Sequence, residues 1–187
     1  MATVLLLTAT YIKDYTFVDP NVDEKYIRIA IEEAQKIHIR NFIGSGLYDE
    51  IIGQVNNNTI SALNTTLLDN YIIPALKWWA VVEVIPFLVY KMTNKSIVTK
   101  NSDNSSTIER TQLDFLTNTA SDKAQYHTQR LIDYLMEYSD VYPLYDNPGD
   151  GFDTIIPRSN SYDSGIWLGQ QREYISYEEK FEKRYKK

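Results

Sequence analysis

The sequence predicts an all-α fold, a helical bundle with a short inter-helix β-hairpin or loop at about 96–108 and an extended C-terminal arm. Apolar residues recur at helical spacing through most of residues 1–140. Helix-capping residues and glycines separate these stretches. From Val141 onward the periodicity stops and prolines and aspartates accumulate. We therefore predict a helical domain at 1–140 and an arm at 141–187.

Capping residues delimit the first two helices. Thr8 or Thr10 can cap a short helix that runs to Tyr15, and Asp23 opens a longer one. Gly44 and Gly46 are expected to close this second helix. Its apolar stripe is predicted to comprise Tyr26, Ile27, Ala30, Ile31, Ala34, Ile37 and Phe42.

An amphipathic segment and a very apolar segment follow. The amphipathic segment ends at the polar loop 56–59, and its apolar residues are Leu47, Ile51, Ile52 and Val55. The apolar segment covers 63–92. Its centre at 71–90 is long enough to cross a membrane, but Lys77 and Glu83 and the prolines Pro74 and Pro86 oppose insertion. We therefore predict a buried central helix and no membrane association.

A polar connection leads to a last long helix. In the connection, β-prone residues Ile97–Thr99 and Thr107–Ile108 flank the turn-forming run NSDNSS, which predicts an exposed hairpin or loop. The helix is expected at about 109–139. Its stripe is predicted to comprise Leu113, Leu116, Ala120, Ala124, His127, Leu131, Tyr134, Leu135 and Tyr138.

The C-terminal arm contains aromatic residues that suit a protein interface, because aromatic side chains are enriched there. We predict that the arm docks on another chain; folding back on its own domain is the alternative. Because the helical periodicity ends there, truncation after Asp140 is expected to leave the bundle folded but to impair assembly. The candidate interface residues are Tyr142, Tyr145, Phe152, Tyr162, Trp167, Tyr174, Tyr177 and Phe181.

The extreme C-terminus is basic. A basic tip with an aromatic residue could contact nucleic acid or an acidic neighbour, but a solvated charged tail is the more common case. The basic residues are Lys183, Arg184, Lys186 and Lys187. The net charge of −6 nevertheless argues against a protein that coats nucleic acid.

The sequence offers little that suggests catalysis. It has no cysteine and no glycine-rich nucleotide-binding motif. The two histidines, His38 and His127, could bind a metal only if two helices brought them together with carboxylates. Glu32–Glu33 and the one-turn pair Asp133/Glu137 resemble the carboxylates of all-α nucleotide hydrolases, but a solvated helix face has the same spacing. We therefore predict no enzyme, no cofactor and no metal.

Four segments together resemble the head–tail connector proteins of tailed bacteriophages, in particular the ring proteins of crAss-like phages. The resemblance covers roughly residues 3–140 and depends on the order and spacing of the segments, since no single motif is diagnostic. The segments are LLTATYIKDYT at 6–16, AQKIHIRNFIGSGLYDEI at 34–51, YIIPALKWWAVVEVIPF at 71–87 and YHTQRLIDYL at 126–135.

The resemblance implies a helical subunit of a ring, with twelve copies, located beneath the portal of the virion and assembled in the host cytoplasm. Such a ring binds the portal on one side and neck or tail proteins on the other, and genomic DNA passes through it without sequence-specific contacts. Acidic walls would repel phosphate, and Glu109, Asp114 and Asp122 are candidates to face that channel.

Two other functions stay open at this point. One is an all-α DNA-packaging subunit similar to a small terminase, for which a basic recognition helix is expected. The other is a metal-dependent nucleotide hydrolase that uses Asp133 and Glu137.

Overall fold

A computed structural model of the chain describes residues 4–92, 97–99, 110–149, 151 and 153–158. The part of the chain that the structure describes is mostly helical (76%), which confirms the all-α prediction. The α-helices are α1 (Ala9–Tyr15), α2 (Glu24–Ala34), α3 (Arg40–Ile43), α4 (Ser45–Asn56), α5 (Ala62–Leu67), α6 (Ile73–Val89), α7 (Arg110–Glu137) and α8 (Pro143–Asp146). π-helical turns at Gln35–Ile39 and Leu68–Ile72 and a 3-10 turn at Ser139–Val141 join some of them.

Side-chain caps start α1 and α2 where the sequence predicts. The Thr8 hydroxyl accepts a hydrogen bond from the Tyr11 amide at 3.2 Å. The Asp23 carboxylate accepts one from the Lys25 amide at 2.9 Å. Each cap satisfies an amide that has no partner within its helix, which fixes the residue at which the helix begins.

The first π-helical turn changes which residues of the second helical segment are buried. Ile37 belongs to the predicted stripe but is 47% exposed, whereas Ile39 and Ile43 are buried. A π-helical turn places one extra residue in the helix and so rotates everything after it. The stripe prediction assumes a regular period of 3.6 residues, and it is wrong at Ile37 for this reason.

Gly44 ends α3 and Gly46 does not. Gly44 has φ +79°, a conformation that suits glycine after a helix. Gly46 lies inside the first turn of α4, so its predicted role as a helix end is wrong. A Cβ atom there would lie 2.8 Å from the Pro148 carbonyl oxygen, so the absence of a side chain permits a close backbone approach.

The most apolar segment forms the central helix of the bundle, as predicted. The continuous helical run Ala62–Leu88 is long and apolar enough to cross a membrane by length and composition. In the structure α6 packs against α2 and α7 and buries residues on several faces, including Ala75, Leu76 and Val81. An apolar surface all around a helix is typical of such a central position.

The hairpin uses different residues from those predicted. Ile97–Thr99 forms strand β2 as expected, but its antiparallel partner is β1 (Tyr90–Met92), which precedes it. The register pairs Tyr90 with Thr99 and Met92 with Ile97. The apolar run that extends to residue 92 led to the assignment of 90–92 to the central helix. The predicted strand Thr107–Ile108 lies outside the described residues.

The long helix α7 buries most of its predicted stripe against α6. Ala120, Ala124, Leu131 and Leu135 are buried, whereas the predicted Leu116 and Tyr138 are exposed. The stripe omitted two buried positions, Ile132 and Thr128. Thr128 is polar and has buried hydrogen bonds. Its hydroxyl accepts a hydrogen bond from the Trp79 indole at 2.9 Å and donates one to the Ala124 carbonyl at 2.8 Å. This hydrogen bond joins α6 to α7 within the core.

The helical domain extends beyond the predicted boundary at residue 140. Tyr142 is 3% exposed and Tyr145 is 7% exposed, and both belong to the core. Pro143 occupies the first turn of α8, where its missing amide proton costs nothing. The arm therefore begins later than predicted, and the residues after the 3-10 turn pack on their own bundle.

Candidate interaction surfaces

The two predicted interface tyrosines that the structure describes are used within the chain. The Tyr142 hydroxyl donates to the Leu63 carbonyl at 3.1 Å and lies 3.4 Å from the Tyr134 hydroxyl. Burial, reinforced by Tyr134, raises the pKa of Tyr142 well above its usual range. Tyr145 is likewise buried, and burial raises its pKa. Their predicted role in docking on another chain is corrected, because their surfaces are already covered by α5 and α4.

The remaining predicted aromatic and basic residues of the arm lie outside the described residues. They are Phe152, Tyr162, Trp167, Tyr174, Tyr177 and Phe181, and at the basic tip Lys183, Arg184, Lys186 and Lys187.

A return segment, which we define by the described residues 147–149, 151 and 153–158, runs back along the junction of α3 and α4. Ser45 anchors it: its amide donates to the Ile155 carbonyl at 3.1 Å and its hydroxyl accepts from the Ile155 amide at 3.1 Å. The Arg158 amide also donates to the Asn41 carbonyl at 3.0 Å. The absence of side chains at Gly44 and Gly46 leaves room for Pro157 and Pro148. The alternative that the arm folds back on its own domain thus holds for this segment.

The histidines have separate structural surroundings. His38 Nε2 lies 2.8 Å from a carboxylate oxygen of Glu83, and its ring stacks on Trp79 with 3.9 Å between ring centres. His127 instead packs edge-on against Tyr126. Burial, and beyond it the positive charges of Lys77 and Arg130, lower the pKa of His127.

The acidic pair of the hydrolase alternative is exposed on α7. Asp133 accepts a hydrogen bond from Gln129 at 2.8 Å. In the described ranges no three histidine, aspartate or glutamate side chains come together in a way that could hold a metal ion.

A basic face lies where α6 and α7 meet, and we define it by Lys77, Lys123, His127 and Arg130. Lys123 Nζ lies 4.3 Å from the centre of the Trp78 ring, and the Arg130 guanidinium carbon lies 5.8 Å from that of Tyr71. Burial, together with the charge of Lys123, lowers the pKa of Lys77. The ion pairs found among the described residues include none of these four.

Sequence reasoning missed the basic face. Lys77 is far from the other three in sequence, so no basic run marks it. The available signal was the spacing of Lys123, His127 and Arg130, which follow one another at four and three residues and therefore share one side of a helix.

An acidic end lies farther along α7, and we define it by Asp133, Glu137 and Asp140. All three are exposed, and Asp140 sits in the 3-10 turn that follows the helix. The large side chains of Met136, Tyr138 and Val141 are exposed beside them. This combination of carboxylates and apolar surface is unusual on a helix that only faces solvent.

Exposed large apolar side chains also occur elsewhere in the described part of the chain. Phe115 is 69% exposed and Tyr126 is 60% exposed, both on α7. Others lie in the N-terminal part of the chain, in α5 and in α6. They include Tyr15, Phe17, Ile29, Ile37, Leu63 and Phe87.

A small cavity of about 190 Å³ opens between α4, α5 and α8. Leu63 and Val141 line it, as do Glu50 and Asn64. The Asn64 side-chain amide donates to Glu50 at 3.0 Å and to Gln54 at 2.9 Å, so the polar groups of the wall satisfy one another.

One family model matches the chain. Comparison with curated proteins gives no match, and comparison with solved structures gives none either. The model of a family described as a family of unknown function (DUF6712) matches residues 39–154, more than half of the chain. The match begins in the first π-helical turn and ends in the return segment. It thus crosses the predicted boundary at residue 140, in agreement with the packing of Tyr142 and Tyr145, and the chain belongs to the DUF6712 family.

Proposed function

We propose that this protein is a non-enzymatic structural subunit of a tailed-phage virion. Copies of the chain form a ring, of about twelve copies by the resemblance, at the head–tail interface. The ring binds the portal protein on one side and neck or tail proteins on the other, and genomic DNA passes through its centre. The proposal is based on the resemblance of four sequence segments, within residues 6–135, to the head–tail connector proteins of tailed phages.

The observation that carries the proposal is the amount of large apolar surface left exposed on a bundle with a complete core. Phe115, Tyr126 and Met136 each expose more than half of their surface along α7. Exposed apolar residues gathered along one element mark a surface that another protein covers. A ring subunit needs such surfaces, because each copy contacts two neighbouring copies as well as other virion proteins.

The overall charge also suits a DNA channel. With a net charge of −6, a ring of these subunits is strongly acidic, and an acidic wall repels phosphate so that DNA slides without adhering. Asp114 and Asp122 are both exposed on α7 and available for such a wall. Glu109, the third candidate, lies outside the described residues.

The test is the mass of the purified protein by light scattering, alone and mixed with the portal protein of the same phage. A large closed ring, or a monomer that assembles only on the portal, supports the proposal. A small oligomer that ignores the portal contradicts it.

The basic face favours one alternative, a DNA-packaging subunit that binds nucleic acid. Lys77, Lys123 and Arg130 would contact phosphates. The neighbouring rings of Trp78 and Tyr71 would contact bases. In that case the protein should shift a short DNA duplex in a gel, and Lys123→Gln together with Arg130→Gln should abolish the shift. A shift that disappears with rising salt as phosphate neutralisation predicts would favour this alternative over the ring.

A further inference from the structure

We infer that the basic face of one copy binds the acidic end of α7 on a second copy of this chain. The inference rests on the proposed ring, in which copies must contact one another, and it names the surfaces that do so. The basic face is Lys77, Lys123, His127 and Arg130, and the acidic end is Asp133, Glu137 and Asp140.

The basic face concentrates positive charge that no ion pair among the described residues neutralises. The Lys77 and Lys123 ammonium groups both lie over the Trp78 ring, at 5.5 and 4.3 Å from its centre. The positive charges of Lys77 and Arg130, after burial, lower the pKa of His127. Four like-charged or chargeable groups held together in this way repel one another. An anionic partner would therefore gain more from this face than from an isolated lysine.

The acidic end has the matching geometry. Lys123, His127 and Arg130 follow at four and three residues, and the acidic residues follow at the same spacing. The set from Lys123 to Arg130 therefore spans about 10 Å along α7, given a rise of 1.5 Å per residue. Asp133 and Glu137 share one side of α7, and Asp140 follows in the 3-10 turn. The two sets have opposite charge and similar spacing along the chain.

The two surfaces cannot meet within one copy. Apart from Lys77 on α6 and Asp140 in the 3-10 turn, they lie one after the other on α7, and Lys123 and Asp133 are ten residues, or about 15 Å, apart. Arg130 and Asp133 are only one turn apart, yet Arg130 lies over Tyr71 and Asp133 binds Gln129. Only a second copy can bring the basic face and the acidic end together.

Apolar side chains accompany the charges on both surfaces. Tyr126 is exposed next to the basic face, and Met136 and Val141 are exposed at the acidic end. Apolar contacts flanked by complementary charges are the usual composition of a protein interface, where the charges select the partner and its orientation. A nucleic acid would use the basic face but would leave the acidic end without a role, which is why we favour a second copy.

The experiment exchanges the charges of the two surfaces. One variant carries Lys123→Glu and Arg130→Glu, and the other carries Glu137→Lys and Asp140→Lys. A control with Lys25→Glu and Arg28→Glu on the exposed side of α2 has the same change in charge as the first variant. Circular dichroism verifies that all of them fold. Sedimentation then measures association of the full chain up to about 1 mM, where even weak contacts are populated.

We expect the wild-type protein and the control to associate and each reversed variant to associate at least ~10-fold more weakly. An equal mixture of the two reversed variants should regain wild-type association, because every contact in it pairs opposite charges again. A mixture that fails to associate although both variants fold overturns the inference, as does undiminished association of either variant. A ring that forms in spite of both reversals leaves the proposed function intact and removes only this contact.

Two further outcomes overturn the second copy as the partner. In one, the wild-type protein stays monomeric throughout the concentration range. In the other, the Lys123→Glu and Arg130→Glu variant loses only binding to a DNA duplex and associates normally. A monomer that still assembles on the portal would leave the proposed function standing while this contact is rejected.

Discussion

Gln35 joins the N-terminal segment to the first π-helical turn. Its side-chain oxygen accepts a hydrogen bond from the Leu6 amide at 2.7 Å, and its nitrogen donates to the Val4 carbonyl at 3.1 Å. The residue is completely buried. A buried polar side chain with partners on both of its polar atoms stabilises the local backbone, because water cannot replace either contact.

Replacing Gln35 by leucine should therefore lower the free energy of unfolding by about 1–3 kcal/mol, since two backbone groups lose their buried partner. Urea unfolding followed by circular dichroism measures the change. The same substitution at the exposed Gln112 should alter stability by less than about 0.5 kcal/mol. Equal effects at the two positions would contradict the role assigned to Gln35.

His127 allows a test of the electrostatics of the basic face. Its pKa is lowered from the usual 6.5, first by burial and then by Lys77 and Arg130. The folded protein therefore binds fewer protons at this site than the unfolded chain does. His127 makes folding less favourable as the pH falls through 6.5 toward its folded pKa, and this loss is absent above 6.5.

Lys77→Met should raise the pKa of His127 toward its usual value without restoring it fully, because burial remains. NMR titration of the His127 ring measures this directly. The control is Lys36→Met, which removes the positive charge that pairs with Glu32. It should leave the pKa of His127 unchanged. A shift in the control but not in Lys77→Met would refute the geometry of the basic face.

At the level of helices, the ends of α3 and α4 determine where the return segment docks. Gly44 adopts φ +79°, and a Cβ atom there would lie 2.8 Å from the Pro157 side chain. Gly53 lies within α4, where a Cβ atom would meet nothing within 4 Å. A side chain at Gly44 would be strained and would collide with Pro157, whereas one at Gly53 has room.

Gly44→Ala should destabilise the protein by about 1–3 kcal/mol through backbone strain, with a further loss where Pro157 is displaced. Gly53→Ala should instead stabilise it by about 0.5–1 kcal/mol, because alanine favours a helix interior. Thermal unfolding of both variants gives the sign. A stabilising Gly44→Ala would mean that the return segment does not pack as described.

The helices also show which structural features hydrophobic periodicity and caps predict and which they do not. Caps at Thr8 and Asp23 and the stripe of α7 from Ala120 to Leu135 were predictable, because each depends on residues close in sequence. The π-helical turns were not predictable from local sequence in this way. Each places one extra residue in a helix that otherwise looks regular, and so Ile37 is exposed while Ile39 is buried.

For the whole molecule, the chain after α7 decides how much of the protein is needed for folding. Truncation after Asp140 was expected to leave the bundle folded, but it would remove the buried Tyr142 and Tyr145. The loss of a large aromatic side chain from a core costs about 3–5 kcal/mol, which approaches the total stability of a small domain.

A chain that ends at Asp140 should therefore be largely unfolded or strongly destabilised, whereas one that ends at Arg158 should keep the stability of the full chain. Circular dichroism and urea midpoints compare the two truncations. If the shorter chain keeps the full-length midpoint, the assignment of residues 141–158 to the bundle is incorrect.

The candidate surfaces were only partly visible in the sequence. Aromatic content at 141–187 pointed to an interface, but Tyr142 and Tyr145 fill their own core, since aromatic residues serve cores and interfaces equally well. The acidic pair Asp133/Glu137 was noticed as a possible metal site. The basic face, its proposed partner on a second copy, is not marked by any basic run in the sequence, because Lys77 and Lys123 come together only when α6 packs on α7.

The sequence by itself determined the fold class, the starts of α1 and α2 and the central position of the apolar segment, because local caps and hydrophobic periodicity specify these features. The tertiary structure decided the pairing of β2 with β1, the return of residues 147–158 to Ser45, and the gathering of cations at the basic face. These features depend on contacts between residues distant along the chain, and such contacts follow from packing the helices together and not from any local pattern.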